Sequence, residues 1–216
     1  MDEYRVPFEA AESEFTEKRS RFISHVWRVE SEDEARARIA EMKKQYYDAR
    51  HNCWCYILQG GAVRYSDDGE PQGTAGQPML NVFQREGVSN VCCVVTRYFG
   101  GILLGAGGLT RAYARGAKDA LDAAGTARMC RWTLWDVPCT YPLLERVKLE
   151  IESAGGLVED ADYGAEVVFR AAFPAGGAEA FAPRLTELSA GALAMTGRGE
   201  AFRPGPREEA GYSQRS

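Results

Sequence analysis

The chain of 216 residues contains only two histidines, and no apolar run approaches the roughly 20 residues that a membrane-spanning helix needs. Its opening, Met1-Asp2-Glu3-Tyr4-Arg5, lacks the basic-then-apolar pattern of a secretory signal. Both absences point to a cytoplasmic chain with no membrane partner. Cysteines are few for this length: there are six, and two of them, Cys92 and Cys93, sit side by side on an apolar run rather than in a disulfide framework. Strand alternation sends those two to opposite faces, which suits small buried hydrophobes in a reducing compartment. His51, Cys53 and Cys55 come nearest to a metal site. A structural zinc takes four ligands at characteristic spacings, however, and the only other histidine is His25. No metal and no other cofactor is expected.

Motifs of common chemistries are missing too. There is no Gly-x-Ser-x-Gly elbow, no Gly-Lys-Ser/Thr of a P-loop and no dinucleotide fingerprint. His51 is the only candidate base, and a Ser-His or Cys-His pair has few options. No catalytic residue is assigned, and the chain reads more as a binding protein than as an enzyme.

What is present is enough for a substantial core. Hydrophobic residues make up 45% and aromatics 11%, which excludes a largely disordered chain, and the length suits one large or two small domains. Acidic residues outnumber basic ones, 31 to 26. The excess lies wholly beyond residue 131: residues 1–131 carry 18 of each sign. Within that balanced part, 87–131 holds Arg97, Arg111, Arg115, Lys118, Arg128 and Arg131 against only Asp119 and Asp122. A local basic surface on an acidic protein can draw phosphate or acidic partners.

The fold class is α+β, in two domains: 1–127, 128–205, and a flexible tail over 206–216 with Pro and Gly. In the first, Phe22–Trp27 reads as a strand, and Ser31 with Glu34 forms a capping box before a helix over 35–42. Strands 53–59 and 62–66 turn through Gly60-Gly61, and 77–86 reads as a short helix. Val91-Cys92-Cys93-Val94-Val95-Thr96 is the pattern of a central strand buried on both faces. A helix then runs to Gly125. In the second domain, strand 132–140, a helix from Pro142 to Ala154, a hairpin of 157–161 with 166–173, a helix over 177–189 and a strand over 192–202 make the β-α-β-β-α-β order of a ferredoxin-like domain.

Two loops carry the functional signal. Asp67-Asp68-Gly69-Glu70-Pro71-Gln72-Gly73-Thr74-Ala75-Gly76 gathers three carboxylates in four positions. They can hold a divalent cation with a phosphate, or raise one another's pKa as an acid/base pair. They can equally form a solvated Asx-type turn, the more favoured of these. His51, Asp67, Asp68, Glu70 and Thr74 form an accessory surface in this scheme. The second loop, 97–111, has five glycines, Gly100, Gly101, Gly105, Gly107 and Gly108, whose backbone N–H groups can face an anion at a helix N-terminus. Arg97 and Arg111 flank it as forked phosphate donors, and Tyr98 offers a stacking face for a base.

At these loops the chain resembles a known family. Lys18-Arg19-Ser20-Arg21-Phe22-Ile23, Ala49-Arg50-His51-Asn52-Cys53, the acidic loop, and Val94 through Gly101 with Leu104 through Tyr113 look like the IMPACT family, whose bacterial members are called YigZ-like. The resemblance spans about 18–125. It implies a first domain similar to the second domain of a small-subunit ribosomal protein, and a ferredoxin-like second domain similar to one in the translocating elongation factor. Both likenesses imply ribosomal RNA or translation factors as partners.

The leading expectation is therefore a non-enzymatic regulatory or binding protein associated with translation, holding RNA, the ribosome or a translation-related protein through the basic glycine loop. The alternative is an enzyme acting on a phosphorylated small molecule or nucleotide with a divalent metal. A third reading is a pure protein-interaction module.

Overall fold

The computed structural model describes residues 4–208 and divides them into two compact units, one reaching Arg128 and including 206–208, the other Met129–Gly205. The mixed α+β architecture comprises two sheets and five α-helices among the described residues. None of these helices is long and apolar enough to cross a membrane.

The first unit is built on a sheet of β2 (Ala11–Glu17), β3 (Ser20–Arg28), β4 (His51–Ile57), β5 (Val63–Ser66) and β6 (Val91–Tyr98), in the order β2-β3-β6-β4-β5. The apolar run at 91–98 takes the central place, antiparallel to β3 on one side and β4 on the other. Period-2 alternation divides it between two cores. Val91, Cys93 and Val95 face α2 (Gly76–Glu86) and α3 (Ala106–Ala124), where Phe22, Met79, Phe83 and Tyr113 fill the interior. Cys92 and Val94 face α1 (Glu32–Gln45) with Ile39, Met42 and Tyr56. The two cysteines thus lie in different cores.

Local signals account for the ends of these elements. Ser31 Oγ accepts from the Glu34 N–H at 3.2 Å, while the Glu34 carboxylate reaches one residue past the cap to the Glu30 N–H at 2.8 Å. Gly125 ends α3 at φ +66 and passes directly into β7 (Thr126–Cys139), a strand six residues longer toward the N-terminus than expected.

Two strands were not foreseen. β1 (Tyr4–Pro7) bridges to Val88 through Arg5, and β2 is an edge strand beside β3. β2 alternates Ala11, Ser13 and Phe15 inward with Glu12, Glu14 and Thr16 outward, but its three glutamates hide a strand from composition. It closes onto β3 through Lys18-Arg19, both at positive φ (+45 and +66). Such two-residue turns normally use Asn-Gly, so two long cations here hold an uncommon backbone.

The second unit contains β7, a 3-10 turn over Tyr141–Leu143, α4 (Leu144–Ser153), β8 (Leu157–Tyr163), β9 (Val167–Pro174), α5 (Gly177–Leu188) and β10 (Thr196–Arg207). The strand order β10-β7-β9-β8 is that of a ferredoxin-like sheet. Val137, Val147, Ile151, Phe169, Phe173 and Phe181 fill its core. β10 starts at Thr196 rather than 192 because the α5 end extends through Gly191 at φ +81, whose N–H returns to Thr186 O at 2.8 Å. Of the tail expected over 206–216, Pro206 and Arg207 are strand. Glu208 accepts from Thr126 Oγ1 (2.8 Å) and Arg128 Nε (3.1 Å), and 209–216 lie outside the described residues.

Replacing Phe83, which is fully buried, by alanine is expected to cost about 3–5 kcal/mol of stability. Tyr47→Ala, at an 83% exposed side of the same unit, is expected to change it by less than about 0.5 kcal/mol. Urea unfolding of both variants checks this; equal losses would misplace the core.

Candidate functional site

The acidic loop leaves β5 and ends at the start of α2. Its three carboxylates do not converge. Asp67 turns inward and accepts from the backbone N–H groups of Gly73 (2.8 Å), Ala75 (3.0 Å) and Gly76 (2.9 Å), capping α2 from outside the helix, which has no cap of its own at Ala75. Asp68 accepts from the Asn52 N–H (2.8 Å) and from Lys43 Nζ (2.7 Å). Glu70 goes under the sheet end. Thr74 donates to Pro71 O at 2.6 Å within the loop itself. No group of three or more His, Cys, Asp or Glu is placed to hold a metal among the described residues.

Glu70 is the link between the two loops. Its side chain is 3% exposed and its Oε1 accepts from Arg97 at 2.7 Å and from the Tyr113 hydroxyl at 2.8 Å. Arg97 follows Cys93 and Val95 on the α2/α3 face of β6. There it donates also to Ser20 Oγ (3.2 Å) and lies against the rings of Phe22 and Phe99. Burial pushes the Tyr113 hydroxyl far above its ordinary pKa, so it stays a neutral donor. Burial also pushes up the thiol of Cys53, whose Sγ donates to Asp67 O, which keeps it protonated and a poor nucleophile or ligand.

The glycine loop is shaped by close approach. A Cβ on Gly100 would fall 2.0 Å from the Arg19 carbonyl carbon, so only glycine lets the loop pass beside the Lys18-Arg19 turn. Gly101 and Gly105 have φ of +84 and +73, and Gly105 is the N-cap of α3 with no side chain bonded to the first turn. Gly105 and Ala106, at the start of the helix, line a pocket of about 330 Å³. Arg50, His51, Glu70, Arg97 and Phe99 line it together with Leu103 and Leu109.

The structure brings some of the expected residues together and separates others. Arg97, Gly105, His51 and Glu70 meet at this pocket. Gly107 and Gly108 lie in the first turn of α3. Arg111, one turn on, is exposed in a neighbouring groove with Phe15, Glu17, Lys18 and Arg115. Tyr98 points to the other face of β6, where its hydroxyl donates to Asp48 at 2.7 Å; desolvation, then that bond, pushes its pKa up to about 12. It shares no pocket with Arg97. Sequence reasoning missed Arg50, Lys18 and Arg19 as site cations. They are exposed and, with Arg111, make no ion pair among the described residues, whereas most arginines of the chain are paired.

Comparison with known proteins is informative at this point. The model described as the Impact N-terminal domain matches residues 18–121, which hold both loops, and a domain of unknown function, DUF1949, matches 137–192. "IMPACT family member YvyE" of Bacillus subtilis is 38% identical over 185 residues, covering 85% of each chain. "IMPACT family member YigZ" of Escherichia coli is 36% identical over 182 residues, covering 82% of this chain and 89% of that one. A solved structure titled only as a hypothetical protein aligns with a TM-score of 0.58 at 34% identity, covering 90% of this chain and 97% of that chain.

Asp67→Ala removes three hydrogen bonds to a charged acceptor. The variant is expected to lose about 1.5–3 kcal/mol and to exchange the Gly73, Ala75 and Gly76 amides faster. Hydrogen exchange followed by NMR checks it; unchanged protection at those amides would contradict the capping role.

Proposed function

The chain belongs to the IMPACT family, and we propose that it is a non-enzymatic regulatory or binding protein of the translation apparatus that holds RNA, in the cytoplasm, through the rim of its glycine loop. Family membership is consistent with a translation-related regulator. One observation carries the RNA reading: Lys18, Arg19, Arg50 and Arg111 stand exposed and without an ion pair among the described residues around the glycine loop. Unpaired cations repel one another, and a polyanion relieves that repulsion by displacing condensed counterions from its own phosphates. The uncapped first turn of α3 adds N–H donors and a partial positive charge to the same rim.

Roles within the site follow from burial. Arg111 keeps its expected part as a phosphate contact, and Arg50 takes the place first given to Arg97. Arg97 is committed to Glu70 at 2.7 Å, so it supports the loop from below. Phe99 and Leu103, 42% and 81% exposed, present apolar faces to bases in place of Tyr98. Gly100, Gly101, Gly105, Gly107 and Gly108 shape the loop and expose its amides. His51 and Glu70 form the base, while Asp67, Asp68 and Thr74 hold the acidic loop in shape behind it. The metal-dependent alternative finds Asp67, Asp68 and Glu70 already engaged with separate protein partners.

Arg50→Ala/Arg111→Ala is expected to keep the melting temperature of the parent and to lose most of its affinity for single-stranded RNA in filter binding. The slope of log K against log[salt] is expected to shrink by about 1.4, at about 0.7 for each phosphate no longer neutralised. Unchanged affinity in the double variant would remove the proposal. Stabilisation by Mg²⁺ with nucleotide, and none by RNA, would replace it with the enzyme reading.

A further inference from the structure

The floor of the 330 Å³ pocket carries two hydrogen-bond acceptors with nothing to accept from. His51 Nδ1 lies 2.9 Å from the Asp68 carbonyl oxygen. A carbonyl only accepts, so Nδ1 carries a hydrogen, and in that tautomer Nε2 is the lone pair. Glu70 Oε1 is taken by Arg97 and Tyr113, while Oε2 accepts no hydrogen bond and lies 3.9 Å from His51 Nε2. The two side chains are 11% and 3% exposed, so water cannot surround them freely. Both acceptors lack a protein partner at the pocket, and a ligand bringing two adjacent donors satisfies both.

We propose that this pocket receives an unstacked guanine of single-stranded RNA, its N1–H and N2–H groups donating to Glu70 Oε2 and His51 Nε2. This rests on the RNA-binding reading and names the base it prefers. Among the four bases only guanine offers two neighbouring donors on its Watson–Crick edge. Adenine and cytosine pair one donor with an acceptor, and uracil flanks a single donor with two carbonyls. Single-stranded RNA is commonly read on that edge, with the base held between apolar or aromatic faces. Phe99, Leu103 and Leu109 supply such walls, and about 330 Å³ falls at the lower end of small-molecule sites, room enough for one base. Arg50 at the mouth and the opening turn of α3 suit the phosphate that follows the base.

Charge argues against the other donor-rich occupant, an arginine or lysine of a partner protein. Arg97 and Arg50 line the pocket with Glu70 as its one carboxylate, and the α3 N-terminus adds positive potential. A cation entering there meets net repulsion. A neutral base bearing an anionic phosphate does not.

The test is fluorescence anisotropy of the full chain with uridine heptamers whose central position is G, A, C, U or inosine. The guanine oligomer is expected to bind at least about tenfold tighter than the others, as a paired contact to a base edge confers. Inosine, which lacks the exocyclic amine, is expected to lose most of that gain. Glu70→Gln is expected to erase the preference, and the inosine arm carries the test if that variant does not fold. Equal binding of all five overturns the guanine pocket and leaves the RNA reading standing. No binding of any overturns both. An arginine-rich peptide that binds the parent but not Glu70→Gln, with no base preference, overturns it in favour of a protein side chain.

Discussion

A buried ion pair holds the two signature loops of this protein together. Arg97 on the central strand and Glu70 in the loop before α2 meet at 2.7 Å with side chains 6% and 3% exposed. Two charges removed from water cost several kcal/mol each, and only close geometry with further hydrogen bonds repays that. Tyr113 from α3 and Ser20 from β3 supply those bonds. Strand, acidic loop, helix and hairpin are thereby tied to one point, at the end of the sheet where α3 begins. An apolar pair of similar volume would serve stability as well. The charged pair brings in addition a carboxylate oxygen left free at the floor of a pocket.

The acidic loop is a structural device as much as a surface. Asp67 caps a helix that has no N-cap side chain, Asp68 ties α1 and β4 through Lys43 and the Asn52 amide, and Glu70 takes the arginine. Each carboxylate is hydrogen-bonded where it stands. The cations around the glycine loop are the opposite case. Lys18, Arg19, Arg50 and Arg111 are solvated and unpaired among the described residues, so the chain, although acidic overall, sets four free cations around the glycine loop, with Glu17 beside two of them. Internal pairing next to external lack of pairing is the contrast on which the proposal of an anionic partner rests.

Much of this was legible from local pattern. The capping box at Ser31, the apolar run of β6, the stop at Gly125 and the ferredoxin-like order of the second domain all rest on neighbours within a few residues, and local physics decides them. β2 was hidden because an edge strand needs only one apolar face, and its outward positions are Glu12 and Glu14. The placement of Arg97 and Tyr98 on opposite faces was available in principle. The alternation that separates Cys92 from Cys93 separates these two as well. What the sequence could not disclose was partnership across 27 positions between Glu70 and Arg97, since nothing local distinguishes a carboxylate bound for the interior from one left in water. Arg50 was overlooked for the converse reason: its lack of a partner is a property of the folded surface alone.

The most direct test of this arrangement is a double-mutant cycle on Arg97 and Glu70, with Arg97→Met, Glu70→Gln and the double variant unfolded in urea. A pair that organises the site predicts that each single change is severe, that the double is much less than their sum, and that the coupling reaches about 2–3 kcal/mol. Losses that add to within about 0.5 kcal/mol would mean that the two side chains are neighbours without being partners, and the site would need another foundation.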